Sequence, residues 1–258
     1  MIAIPDSEWL RDAPLVIAHR GASSYAPENT FAAFRLASDM GVDAVEVDAR
    51  LTRDGRVVVH HDRTLDRTTT GSGVLAEHTL EQIQQLDAGR KFDPRFAGER
   101  VPTLDEVLAE IGDKVLINVD LTYYGGARDA LPEAAASVVR SAGQQRRVLF
   151  SSFYPQTLRR TRRLAPEIAT ALLTRAKWSR FRRALYRQMA PGIAVHPEDE
   201  MVTAELIEQE HVRGQRVNVW TVNDADRIRK LLAWGVDGVI TDIPDVALRL
   251  RDEQVRRG

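Results

Sequence analysis

The chain has 258 residues, 43% apolar and 28% charged, enough for one large domain or two small ones. A formal net charge of −1 supplies no global field for a nucleic-acid partner. The absence of cysteine excludes disulfides, thiolate metal sites and cysteine nucleophiles, and suits a reducing compartment. The opening MIAIPDSEWLRDAP lacks the basic region and apolar core of a signal peptide. No apolar run reaches the roughly 18 residues that a membrane helix needs. A soluble, cytoplasmic protein is therefore expected.

Taken in chain order, β-branched runs predict strands at 15–21, 44–52, 115–122, 147–153, 167–174, 192–197, 216–223 and 238–245. Helical spacing fills the gaps, as in NTFAAFRLASDMG (29–41), LRRTRRLA (158–165), TAELIEQEHVRG (203–214) and DADRIRKLLAWG (224–235). Gly41, Gly214 and Gly235 stand where a helix C′ stop is needed. Eight strands alternating with helices over this length predict a parallel (β/α)₈ TIM barrel. The rival, a doubly wound open sheet, is weakened because no glycine-rich phosphate loop follows the first strand. No stretch has linker composition, so residues 1–258 read as one domain.

One strand is left over. RVVVHH (56–61) follows strand two across Asp54-Gly55, a strong hairpin signal. A parallel strand would need a crossover of about a dozen residues, so this run should return antiparallel. If Asp54 and Gly55 are the two loop residues, Asp48 lies opposite His61, and His60 lies opposite Ala49 on the other face. A one-residue change of loop length would exchange the two histidines. Residues from about 63 to 112 then read as a small insertion: a turn-rich TLDRTTTGSG (64–73) and two short helices, LEQIQQLDAG (80–89) and TLDEVLAEIG (103–112).

Barrel enzymes work at the C-terminal ends of their strands. Those ends offer His19 and Arg20, Glu46 and Asp48, Asp120, Ser152, His196, Trp220 and Asp242. Glu46 and Asp48 are i and i+2, so they share a face. Two carboxylates that close either pair with rim arginines or share a cation. With Asp120 they form an all-oxygen set suited to one hard divalent cation, Mg²⁺ or Ca²⁺, rather than Zn²⁺. His19 is either a structural histidine or a proton carrier. Arg20 is either a solvated charge or a clamp for an anionic group. Trp220, at its own strand end, is a further candidate on the substrate side.

The stretches AHRGASSYAPENTFAAF (18–34), GVDAVEVDARLTRDGRVVVHHDRTLDRTTTGSG (41–73), VPTLDEVL (101–108), SSF (151–153), VNVWTVND (217–224) and WGVDGVITDIPD (234–245) resemble the glycerophosphodiester phosphodiesterases. They run in family order over nearly the whole chain. The resemblance implies a (β/α)₈ barrel with a small insertion after the second strand. It implies metal-dependent hydrolysis of glycerophosphodiesters, deacylated or lyso-phospholipids, to an alcohol and glycerol 3-phosphate. His19 and His61 match the acid–base pair, Arg20 the phosphate-contacting arginine, and Glu46 and Asp48 metal ligands. In the mechanism so implied, one histidine deprotonates the glycerol 2-hydroxyl for attack on phosphorus while the other protonates the leaving alcohol. Water then opens the cyclic phosphate with the roles reversed.

One position departs from the pattern. The family typically reads Glu-x-Lys at the end of the third barrel strand, where INVDLTYYG carries Asp120 and Thr122. Threonine removes a positive charge, which leaves three readings: the ordinary activity, an altered phosphodiester substrate, or a barrel that binds with little turnover. An unrelated barrel lyase or isomerase is disfavoured by the paired histidines. Outside the motifs, residues 156–190 carry ten Lys or Arg and one acid, Glu167, with Trp178, Phe181, Leu185 and Met189 at helical spacing. This region either rests on an anionic membrane surface or is an ordinary barrel helix with its apolar stripe buried and its arginines solvated. The sequence leaves the oligomeric state open.

Overall fold

The computed structural model describes residues 5–11, 14–122, 129–190 and 192–256. Eight parallel strands close on themselves: β1 (Leu15–His19), β2 (Ala44–Leu51), β4 (Leu116–Leu121), β5 (Val148–Ser152), β6 (Ala169–Thr174), β7 (Ala194–Pro197), β8 (Arg216–Val219) and β9 (Gly238–Thr241). β1 pairs with both β9 and β2, which completes a (β/α)₈ barrel. β3 (Val57–Val59) is antiparallel on β2 and lies outside the closed ring.

The crossovers carry α1 (Phe31–Asp39), α3 (Leu104–Ile111), α4 (Leu131–Ser141), α5 (Pro155–Leu164), α6 (Arg180–Met189), α7 (Ala204–Val212), α8 (Ala225–Ala233) and α9 (Pro244–Val255); the short α2 (Leu80–Gln84) lies between β3 and α3. Their starts are chemically marked. Thr30, Thr103, Ser179, Thr203 and Asp224 each accept a hydrogen bond from a first-turn amide, and Thr103 with Glu106 forms a full capping box. Gly41, Gly214 and Gly235 follow helix ends with φ of 81°, 72° and 78°, the left-handed geometry expected of such stops.

Strand alternation separates two cores. Val45, Val47, Val119 and Val239 face outward against the helices. Leu15, Ile17, Ala44, Leu116, Leu149, Ala169 and Ile240 face inward and fill the N-terminal half of the barrel. Trp9 packs with this inner cluster, its indole N–H bonded to Arg147 O at 3.0 Å. Each buried Leu, Ile or Val contributes about 1.5–3 kcal/mol, so the closed half is a rigid base. Two residues further along the same inward faces, apolar side chains give way to Glu46 above Ala44 and Asn118 above Leu116.

The structure corrects two expectations and bears on a reading left open. First, Thr52 N donates to Arg56 O at 3.0 Å, so the hairpin loop is residues 53–55, with Gly55 at φ 77°. A three-residue loop with a left-handed third residue shifts the register by one. Leu51 pairs with Val57 and Ala49 with Val59, and the amide of His60, not His61, donates to Asp48 O at 2.8 Å. Second, TLDEVLAEIG belongs to the barrel ring. Leu104, Val107, Leu108 and Ile111 of α3 pack in the outer core with β2 and β4, whereas Leu65, Leu75, Ile83, Ala88 and Val101 form a separate small cluster under Val58. The insertion thus ends near residue 102. Third, the apolar stripe of the basic region is not buried throughout. Trp178 is, but Phe181 is 78% exposed and Leu185 41%, and no residue of α6 is fully buried. No helix among the described residues is long and apolar enough to cross a membrane.

Candidate active site

A cavity opens at the C-terminal ends of the strands, lined by His19, Arg20, Glu46, Asp48, His61, Asn118, Asp120, Ser151, Phe153, Leu173, Arg175, Trp220 and Ile240. Of the residues singled out from the sequence, Thr122 is not on this wall. It sits half-buried one residue past β4. Ser152 turns away and donates to Leu121 O at 2.7 Å, leaving its neighbour Ser151 on the wall. His196 is fully buried below the cavity, where burial pushes its imidazole down to about 3, so it stays neutral.

Glu46, Asp48 and Asp120 come together as the period-2 pattern requires, with one oxygen of each within 4.8 Å of the others. Burial, then the neighbouring Asp48, holds Glu46 well above the usual carboxylate range. The same two causes raise Asp120. Asp48 goes the other way: the upward push of burial is outweighed by Arg20, His61, the Asn29 amide and His19. Among the described residues, Asp120 Oδ1 is buried without a hydrogen-bond donor. Three crowded carboxylates with an unpartnered oxygen, and no sulfur or nitrogen donor, fit a hard divalent cation.

Arg20 follows β1 with φ 57°, a sparsely populated conformation for a non-glycine residue. The turn is locked by Gly21, where a Cβ would lie 2.7 Å from the backbone of Ala33. In this pose the Arg20 amide donates to Glu46 Oε2 at 3.1 Å. Its guanidinium donates to Glu28 Oε1 at 3.0 Å and lies 3.1 Å from Asp48 Oδ2. Burial disfavours its charge, yet Asp48, Glu28 and Glu46 together raise its pKa.

Both cavity histidines are oriented through Nδ1. His19 Nδ1 donates to Asp242 Oδ1 at 2.7 Å, and Asp242 also accepts from Ser23 (2.9 Å) and Asn223 (2.6 Å). Burial alone would raise Asp242; the His19, Asn223 and Ser23 donors bring it down to about 2. His61 Nδ1 donates to Asp62 Oδ1 at 2.6 Å. Each ring therefore leaves Nε2 for exchange with a substrate. His61 reaches the cavity because β3 stops at Val59 and the chain bends. His60 is buried and donates from Nε2 to Thr64 O at 3.0 Å.

Several partners had no role assigned from the sequence. Arg67 binds both oxygens of Glu28 (2.6 and 2.7 Å) and Asp62 Oδ2 (2.6 Å), linking the His61 arm to the Arg20 arm. Asn29 donates to Asp48 Oδ2 at 2.8 Å. Glu28 and Asn29 lie in PENT, and Asp62 and Arg67 in HDRTLDR, so the motifs contained the signal but not the pairing. Arg175 stood in no motif.

Comparison with known proteins identifies the family and the fold. The Glycerophosphoryl diester phosphodiesterase family model matches residues 19–246. The glycerophosphodiester phosphodiesterase of Caldanaerobacter subterraneus subsp. tengcongensis is 40% identical over 249 residues, 95% of this chain and 98% of that protein. Among solved structures, an Oleispira antarctica phosphodiesterase in complex with the product sn-glycerol-3-phosphate superimposes with a TM-score of 0.86 at 32% identity, over 93% of this chain and 97% of that one. A glycerophosphodiester phosphodiesterase from Agrobacterium tumefaciens gives 0.78 at 30% identity, over 92% and 100%. The barrel, its acidic cluster and a match over nearly the whole chain place this protein in the glycerophosphoryl diester phosphodiesterase family, hydrolases of phosphoric diesters.

Proposed function

We propose that this chain cleaves glycerophosphodiesters to an alcohol and glycerol 3-phosphate, with His19 and His61 exchanging protons and Glu46, Asp48 and Asp120 holding one Mg²⁺ or Ca²⁺. The observation that carries this reading is the pair of carboxylate-oriented imidazoles on the same cavity as three clustered carboxylates. A bound divalent cation would neutralise charge on the phosphoryl oxygens. Arg20 adds a guanidinium on that side, and Trp220 and Phe153 supply an apolar wall for the glycerol carbons. One histidine takes the proton of the glycerol 2-hydroxyl as its oxygen bonds to phosphorus. The other donates a proton as the phosphorus–alcohol bond breaks. Water then adds to the cyclic phosphate, and the two proton transfers reverse to give glycerol 3-phosphate.

Chelator-treated protein is expected to release no choline from sn-glycero-3-phosphocholine, and Mg²⁺ or Ca²⁺ should restore release. No turnover of any of several glycerophosphodiesters with either ion would overturn the reading.

A lyso-phospholipid substrate and peripheral contact with an anionic membrane are favoured by one observation, the exposure of Phe181 and Leu185 among the arginines of α6. Arg183 is engaged, donating to Trp178 O at 2.7 Å. The informative variants are therefore Phe181→Ser and Arg180→Glu, which should slow hydrolysis in anionic vesicles while leaving soluble substrate unaffected. Equal rates in both assays would remove the membrane contact.

A further inference from the structure

In the closed sheet the strand order from β1 runs β9, β8, β7, β6 in one direction and β2, β4, β5, β6 in the other. β6 is therefore diametrically opposite β1 across the barrel mouth. Arg20 follows β1 and Arg175 follows β6, and both line the cavity. Two guanidinium groups thus face the same space from opposite rims.

Their charges are in different states. Arg20 is engaged by Glu28 and Asp48. The Arg175 side chain makes no hydrogen bond or ion pair among the described residues, although its charge acts on the Asp120 carboxylate; its guanidinium carbon lies 4.4 Å from the centroid of the Phe153 ring. Phe153 is itself held edge-on by Trp220 (centroids 5.4 Å apart) and Trp178 (6.1 Å). Stacking on a fixed ring restrains a long side chain and leaves the N–H edge of the guanidinium free to donate. A planar fork of N–H donors matches phosphoryl oxygens. Among the described residues at the end of β4, Asp120 lines the cavity and Thr122 does not, so no cation comes from them.

We propose that Arg175 is a phosphate-contacting residue, a second guanidinium that meets the phosphoryl group from the rim opposite Arg20. The assignment rests on the reading of this cavity as a phosphodiester site. It places positive charge just after β6, clamped by Phe153.

The test uses metal-replete full-length protein, with sn-glycero-3-phosphocholine turnover and calorimetric binding of sn-glycerol 3-phosphate read in parallel. Arg175→Gln should lower kcat/KM by about 10²-fold, in the range seen when one charge-stabilising donor is removed, and should weaken sn-glycerol 3-phosphate binding at least about tenfold. Arg175→Lys should recover part of both losses, with an unchanged melting temperature showing that the fold is intact. Thr122→Lys combined with Arg175→Gln measures whether a cation offered from β4 substitutes, and recovery would assign the effect to charge. If Arg175→Gln leaves both turnover and product binding within about twofold of the parent, Arg175 does not touch phosphate. If the parent protein binds sn-glycerol 3-phosphate but turns over nothing, the broader reading falls, and the binding comparison alone still decides Arg175.

Discussion

The two cavity histidines present the same chemistry on different supports. His19 ends a barrel strand, its side chain 18% exposed, and its acid lies 223 residues further along the chain. Asp242 reaches it only because β1 pairs with β9 and closes the ring. His61 sits on a bend outside the ring, its side chain 43% exposed, and its acid is the next residue. What fixes that local pair is Arg67, strapped to both Asp62 and Glu28. A side chain can therefore be oriented either by barrel closure or by a local turn plus one arginine, and the two supports should fail differently.

The comparison would break outright if one imidazole proved dispensable. His19→Ala and His61→Ala are each expected to lower glycerophosphodiester turnover about 10⁴-fold, the upper end for positioned proton transfer; a loss under about tenfold in either would remove that residue from proton transfer.

The supports separate at the next level. Asp242→Asn should cost about 10²-fold in kcat and Arg67→Gln about tenfold, because Asp242 holds its ring directly and Arg67 acts through Asp62. Asp242 also bears on stability. Asp242 titrates at about 2 instead of its usual 3.8, worth about 2 kcal/mol at pH 7. Because the folded-state value is the lower one, this contribution is fully present above about pH 4 and is lost as pH falls through about 2. Denaturation of Asp242→Asn beside the parent should show a gap at pH 7 that narrows over that window. A gap independent of pH would mean that the carboxylate charge does not stabilise the fold.

The smallest effect on rate is expected at His60. Its imidazole is buried and bonded to Thr64 O, and burial lowers its pKa. His60→Ala should leave kcat within about twofold while lowering unfolding free energy by about 1–3 kcal/mol. A large loss of kcat in a stably folded variant would return His60 to the list of proton carriers.

The alternation of strand-like and helical runs, the shared face of Glu46 and Asp48, and the glycine helix stops were legible because each depends on residues within a few positions. The antiparallel return of β3 was legible for the same reason, but its register was not. Whether Asp54 and Gly55 or residues 53–55 form the loop is decided by hydrogen bonds at Thr52, and one residue there exchanges the partners of Asp48. Family motifs and the hairpin count both pointed to His61, yet the ladder sets His60 opposite Asp48, and His61 reaches the cavity through the bend after Val59.

By itself, then, the sequence determined the barrel, the acidic pair and the residue types available at the strand ends, since strand period and helix caps are local. Tertiary structure decided which of those groups meet. Asp242 joined His19, Arg67 bridged Glu28 and Asp62, α3 went to the barrel ring, Phe181 stayed in solvent, and Arg175 came to face Arg20. These outcomes follow from ring closure and loop length, which bring distant residues together without any periodic mark in the chain.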